Sequence, residues 1–146
     1  MNKALKQAAI ALKQGEVPVG AIIVDSDGKI IARGYNQIEK KACQLGHAET
    51  IAIQKACKRL GDWRLNGCWI YVTLEPCLMC MGLIKLSRIK GVVFGAHSSL
   101  FGSGLADLKN VPAYTHGITI ESGCKKQQSV DLLQSFFKHV RKKEKG

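Results

Sequence analysis

Leu5, Ala8, Ala9 and Leu12 recur at the three-and-four spacing of one helix face, and Gly15 closes the run. Residues 19–24 form a mostly apolar stretch that reads as a strand. Asp25-Ser26-Asp27-Gly28 supplies a turn after it, and residues 29–33 the hairpin partner. The pattern then predicts a helix over residues 47–60, a strand at 69–73, a helix at 77–86, a strand at 91–95, a last strand at 118–120 and a closing helix at 130–140. Between them, the Gly-rich stretch 95–104 reads as a loop. Alternating strands and helices specify the α/β class, and 146 residues suit one domain over 1–146 with a basic C-terminal helix and tail from about residue 130.

Two short segments, His47-Ala48-Glu49 and Pro76-Cys77-Leu78-Met79-Cys80, fall at predicted helix starts. One imidazole and two thiolates are donors that zinc accepts in a tetrahedron, and three protein ligands leave the fourth corner for water, the pattern of a catalytic site. Cys77 and Cys80, three apart, can face one ion from the first turn of a helix, where the unpaired N–H groups favour a thiolate. Pro76 suits that position because its missing N–H is no loss there. A coordinated water can fall in pKa from about 15.7 to about 7, so the metal would supply the nucleophile. On a regular helix, residues two apart point about 200° away from each other, so Glu49 is poorly placed to share the metal with His47. A carboxylate off the metal and within reach of the water is what a general acid/base requires.

Other readings stand beside this one. A C-x-x-C pair alone also serves redox chemistry or half of a structural zinc site. Cys43 and His47 with Cys77 and Cys80 would make a closed Cys3His site with no open position, although such a site has no need of Glu49.

The order H-x-E…P-C-x-x-C is a known signature of zinc-dependent nucleobase deaminases. Further stretches fall around it: Glu16-Val17-Pro18-Val19-Gly20-Ala21, Gly34-Tyr35-Asn36, Trp63-Arg64-Leu65, Tyr71-Val72-Thr73-Leu74-Glu75, Ser87-Arg88-Ile89, Val92-Val93-Phe94-Gly95-Ala96 and Leu132-Leu133-Gln134-Ser135-Phe136-Phe137. In order and spacing the chain resembles the bacterial tRNA-specific adenosine deaminases of the cytidine/deoxycytidylate deaminase superfamily. The zinc motif is common to the superfamily, and the flanking stretches resemble the tRNA-acting branch.

That resemblance implies a three-layer α/β/α fold with a central five-stranded mixed sheet. It implies one zinc per subunit, held by His47, Cys77 and Cys80, with Glu49 as proton shuttle. The reaction implied is hydrolytic conversion of adenosine to inosine at the wobble position of a tRNA anticodon, most naturally tRNA-Arg with an ACG anticodon, by a homodimer. Val19, Asn36 and the backbone of Ala48 match positions that hold the target base. Asn36 offers both a donor and an acceptor to a purine edge, and read alone it also suits a turn after Gly34. Phe137 matches an aromatic of the C-terminal helix near the anticodon loop; as Phe136 adjoins it, at least one of the two is expected in the core. After Ala96 the family usually carries an acidic residue two positions on. Here that position is Ser98, which can hydrogen-bond a ribose hydroxyl without bringing charge.

Twenty-two Lys and Arg against eleven Asp and Glu give a net charge of +11, a field that favours approach to phosphates. The excess is concentrated at the end, where Lys138, Arg141, Lys142 and Lys143 are candidate RNA contacts, or simply a solvated terminus. With no signal-like opening and no apolar run near twenty residues, the cytoplasm is the expected compartment and disulfides are not expected. Cys43, Cys57, Cys68 and Cys124 then read as small apolar fillers. A deaminase of free nucleosides, nucleotides or guanine would share the catalytic set without needing a basic tail, and a non-catalytic zinc module that binds RNA would keep the charge but not require Glu49.

Overall fold

The computed structural model describes residues 1–98 and 116–146. In chain order the elements are α1 (Asn2–Lys13), β1 (Gly20–Val24), β2 (Ile30–Tyr35), a short α2 (Ile38–Lys41), a 3-10 turn (Gln44–Gly46), α3 (Ala48–Leu60), β3 (Trp69–Leu74), α4 (Leu78–Leu86), β4 (Gly91–Ala96), β5 (Thr119–Glu121) and α5 (Lys126–Lys145). The sheet runs β2-β1-β3-β4-β5, antiparallel on the β1 side and parallel from β3 through β5. The expected hairpin turn forms as its residues dictate. Asp25 Oδ1 accepts the N–H groups of Asp27 and Lys29, and Gly28 takes the positive φ the turn needs. No helix among the described residues is long and apolar enough to cross a membrane.

Missing side chains let the helix layers approach the sheet. A Cβ at Gly20 would lie 2.0 Å from Ala4 O and 2.4 Å from Ala8 N, so α1 presses its alanine face onto β1. A Cβ at Gly34 would lie 2.5 Å from Ala48 O on α3. Gly34 pairs with Ala21, the neighbour of Gly20, and successive strand residues face opposite sides, so α1 and α3 cover opposite faces. On β4, a Cβ at Gly95 would meet Ser129 Oγ of α5 at 2.5 Å. The α1–α5 and α3–α4 contacts complete a three-layer α/β/α arrangement. Ile23, Ile70, Val72, Val92 and Phe94 of the strands form its core with Leu65, Met81 and Ile84.

The closing helix is longer than the apolar pattern of residues 130–140 suggested. It starts at Lys126, just after Lys125 in the left-handed region (φ 54°), and runs through the basic segment to Lys145. Lys, Arg and Glu are good helix formers, and cations are favoured at a helix C-terminus, so the charges extend the helix instead of ending it. Neither Phe136 nor Phe137 belongs to the core, contrary to expectation: Phe136 is half-buried, and Phe137 is 47% exposed with its ring edge-on to Phe136. The aromatic pair lies about two turns beyond Ser129, the one buried residue of the helix, which packs against Gly95 of the sheet. Of the loop expected at 95–104, Gly95 and Ala96 belong to β4, and residues 99–104 lie outside the described residues.

Candidate active site

His47 and Cys77 are the residues immediately before α3 and α4, both with extended backbone at the helix entry, and Cys80 is in the first turn of α4. His47 Nδ1 is 3.8 Å from Cys77 Sγ and 3.6 Å from Cys80 Sγ, and the ligand atoms of all three residues lie within 4.8 Å of one another. A tetrahedral zinc with bonds of about 2.0–2.1 Å to nitrogen and 2.3 Å to sulfur has N···S edges of roughly 3.6 Å. The donor set therefore fits zinc in both chemistry and spacing. His47 Nε2 is 3.3 Å from Gln44 Oε1, and as an amide oxygen can only accept, the proton belongs on Nε2 and the Nδ1 lone pair faces the sulfurs.

Without a metal the cluster shares protons. A hydrogen bond from the Cys80 thiol pulls Cys77 down to about 4, with His47 assisting and burial opposing. Cys80 is pushed up because its proton is held toward Cys77, and burial and the nearby Glu49 charge add to this. The hydrogen bond to Cys77 raises His47 against the opposing effect of burial, and the charges of Glu49 and Cys77 reinforce it. Binding a metal would replace these protons.

Glu49 is buried at 3% exposure and is not one of the three clustered ligands, as the helical geometry required. Burial raises its pKa, partly offset by a hydrogen bond with Cys80 and by the charge of His47. A carboxyl group held toward its protonated form beside a metal centre can both accept and return a proton. Cys43 stands apart: it is exposed, and its Sγ accepts the Leu45 N–H, so it is neither the apolar filler expected nor a fourth ligand. Cys68 is buried, while Cys57 and Cys124 are half-buried.

Asn36 follows β2 and is buried; its Oδ1 accepts the Ala48 N–H at 2.9 Å, and its own N–H is donated to the Val19 carbonyl. Val19, Asn36 and Ala48 are thus brought together at the start of α3, with the Asn36 amide NH2 as the group not used by that cap. Ser98 is tied to the segment that leads to Cys77, its N–H donated to Glu75 two residues before that ligand. Phe137 and the basic residues lie along α5. Lys138, Arg141, Lys142 and Lys145 recur at three-and-four spacing on one exposed stripe flanked by Phe137, with Lys143 beside it.

Sequence reading missed Gln44, three residues before His47, and the buried carboxylates of Glu16 and Glu75. Glu16 accepts the N–H groups of Glu39 and Lys40 across 23 and 24 residues, and no local pattern announces such contacts.

Residues 1–96 match a family model described as the cytidine and deoxycytidylate deaminase zinc-binding region. The chain is 44% identical to the tRNA-specific adenosine deaminase of Bacillus subtilis, over all of this chain and 91% of that one. It is 45% identical to the tRNA-specific adenosine deaminase of Rickettsia bellii, over 97% of this chain and 99% of that one. Among solved structures, one from work on A-to-I editing by tRNA:A34 deaminases at the wobble position superposes with a TM-score of 0.84 and 38% identity, covering 91% of this chain and 97% of the other. With the metal-ligand cluster, the buried carboxyl group and the three-layer fold all in place, the chain belongs to the cytidine and deoxycytidylate deaminase family, alongside its tRNA-specific adenosine deaminase members.

Proposed function

We propose that the chain converts adenosine to inosine at the wobble position of a tRNA anticodon by hydrolysis, consuming water and releasing ammonia. The observation that carries the reading is the buried Glu49 beside the His47, Cys77 and Cys80 cluster. These three residues would hold zinc, which when bound makes a water molecule acidic enough to serve as a nucleophile near neutral pH. Glu49 takes a proton from the attacking water, delivers it to the ring nitrogen next to C6, and carries the next proton to the departing amino group. Asn36, with its carbonyl committed to Ala48, offers its NH2 to an acceptor on the purine edge, and Val19 and Ala48 wall the base.

A target base must be unstacked to enter such a site, which favours the exposed anticodon loop over a duplex. The exposed basic stripe of α5 with Phe137 suits the loop's phosphates and an unpaired base. The experiment is incubation of the zinc-loaded protein with an anticodon stem-loop carrying a wobble adenosine, with free adenosine, cytidine and guanine alongside, and the deaminated products inosine, uridine and xanthine read by mass spectrometry. Conversion of the stem-loop in preference to the free compounds is expected. Faster turnover of a free base or nucleoside, or equal conversion of an adenosine placed in the stem, would overturn the reading.

Two copies of the chain are proposed to act together. Leu45, Trp63 and Leu86, which are 57%, 50% and 71% exposed, line one groove, a concentration of apolar surface that suits a second copy. Light scattering should give the dimer mass for the natural chain and a monomer for Leu86→Glu; a monomeric natural chain would refute the pairing. A tRNA-modifying enzyme whose six cysteines are all free fits the reducing cytoplasm.

A further inference from the structure

The carboxylate of Glu75 is 5% exposed, yet it is neither a metal-cluster member nor a neighbour of the attacked base in the mechanism above. Its interactions run to the segment leaving β4. Glu75 Oε1 accepts the Ser98 N–H at 3.2 Å and lies 3.3 Å from His97 Nδ1, while the backbone N–H of Glu75 is donated to the Ala96 carbonyl at 2.8 Å. His97 also packs edge-on against Phe94, with ring centroids 5.0 Å apart. β3 and β4 are parallel and in register from Trp69 with Gly91 to Leu74 with Ala96, so both strands deliver their C-terminal ends to the same edge of the sheet. That edge is where an α/β sheet presents its ligands, and Cys77 lies two residues after Glu75.

We infer that Glu75 is a positioning residue: its buried carboxylate fixes His97 and Ser98 beside the metal-bearing turn so that they contact the RNA nucleotide flanking the target base. This rests on the RNA-deaminase reading above. Burying a carboxylate is costly unless it is hydrogen-bonded, and here the bonds go to the backbone and side chain of the next segment along the edge. Such a clamp holds the RNA-facing segment in one place before substrate arrives, which lowers the ordering cost of binding. Bonds made equally in the ground state and the transition state change KM without changing kcat.

The test compares Glu75→Ala, Glu75→Gln and His97→Ala with the natural chain, each as zinc-loaded protein on the anticodon stem-loop, with zinc content, kcat and KM measured. Glu75→Ala should raise KM by roughly tenfold, with zinc content and kcat held within about twofold. Glu75→Gln retains an oxygen to accept the Ser98 N–H and should recover most of the loss. His97→Ala should raise KM by about threefold alone and add nothing in the Glu75→Ala background, since the two residues act as a pair. An unchanged KM, a loss of zinc in step with kcat, or additive effects of the two alanine changes would each overturn the assignment. Should Glu75→Ala not fold, His97→Ala and Glu75→Gln still decide it, because the His97 side chain is more than half exposed and meets the core only at the Phe94 ring. Failure of the natural chain to convert the stem-loop would count against the RNA reading itself, whereas normal conversion with unaltered variants would count only against the clamp.

Discussion

Substituting Gly34 with alanine should dismantle the metal centre from behind, although this residue touches no ligand. The new Cβ would lie 2.5 Å from Ala48 O, 2.9 Å from Ala52 N and 3.3 Å from Ala52 Cβ. Two of these neighbours are backbone atoms, so no side chain can turn aside. Restoring the shortest separation to 3.0–3.4 Å requires α3 to retreat by about 0.5–0.9 Å. His47 and Glu49 flank Ala48 and would move with it, while Cys77 and Cys80 stay with α4. Metal–ligand distances tolerate only about 0.2 Å, so the retreat exceeds the tolerance severalfold. Overpacking of this kind costs about 1–3 kcal/mol, or roughly 3–10 °C in Tm for a chain of this size, and a displacement near 1 Å at a reacting centre costs about 10²-fold in rate.

The assay is thermal melting, zinc content and stem-loop turnover on the same preparation. The control is Gly82→Ala on α4, the helix that carries Cys80. Among the described residues a Cβ at Gly82 meets nothing within 4 Å, so the change should stabilise the helix by about 0.5–1 kcal/mol and leave zinc bound. A Gly34→Ala protein with full zinc and an unchanged Tm would refute the claim that close sheet–helix packing sets the ligand geometry.

Glu49→Gln should keep zinc and lose turnover by about 10²–10⁴-fold, with kcat and metal content as the readouts. Because the folded state raises the Glu49 pKa, metal-free protein should lose stability as pH rises from the ordinary carboxylate range through the raised value; Glu49→Gln should flatten that fall in denaturation curves and make the metal-free protein more stable at pH 7. Cys43→Ser should retain one zinc and near-normal activity, since its thiol only accepts the Leu45 N–H, whereas Cys77→Ser or Cys80→Ser should lose both by metal analysis. Replacing Lys138, Arg141, Lys142 and Lys143 together by Gln keeps the helix and should flatten the slope of log K against log salt by up to about 0.7–0.9 for each phosphate no longer neutralised, with kcat at saturating RNA unchanged.

What could be read from the sequence was what is local. The His47 and Cys77 segments carry their chemistry within four or five residues, and the strand and helix periods place both at helix starts. The Asp25 turn is equally self-contained. What escaped depends on partners far along the chain: Glu75 holding residues 97 and 98, Glu16 holding the start of α2, and Ser129 fitted against Gly95. The apolar pattern also misjudged both ends of α5, because charged helix formers continue a helix without contributing to its buried stripe. Cys43 was misread for a related reason, since composition favours burial of cysteine but this one is exposed.

The distant partners also explain how two residues at helix entries are free to bind metal at all. A residue in that position ordinarily turns its side chain back to satisfy an unpaired N–H of the first turn. His47 does not do so. For α3 the task passes to Asn36, whose Oδ1 takes the Ala48 N–H from the end of β2. The His47 imidazole is thereby released toward the two sulfurs, while Gln44 holds its far nitrogen. At α4 the Cys77 thiol faces both His47 and Cys80, and the Cys80 backbone N–H helps hold it in the thiolate form. Both helix N-termini then direct positive dipole ends at the cluster, which favours the thiolates that would hold the metal. Asn36 therefore substitutes for a side-chain cap on α3, and its remaining NH2 is the group that the proposed function assigns to the base.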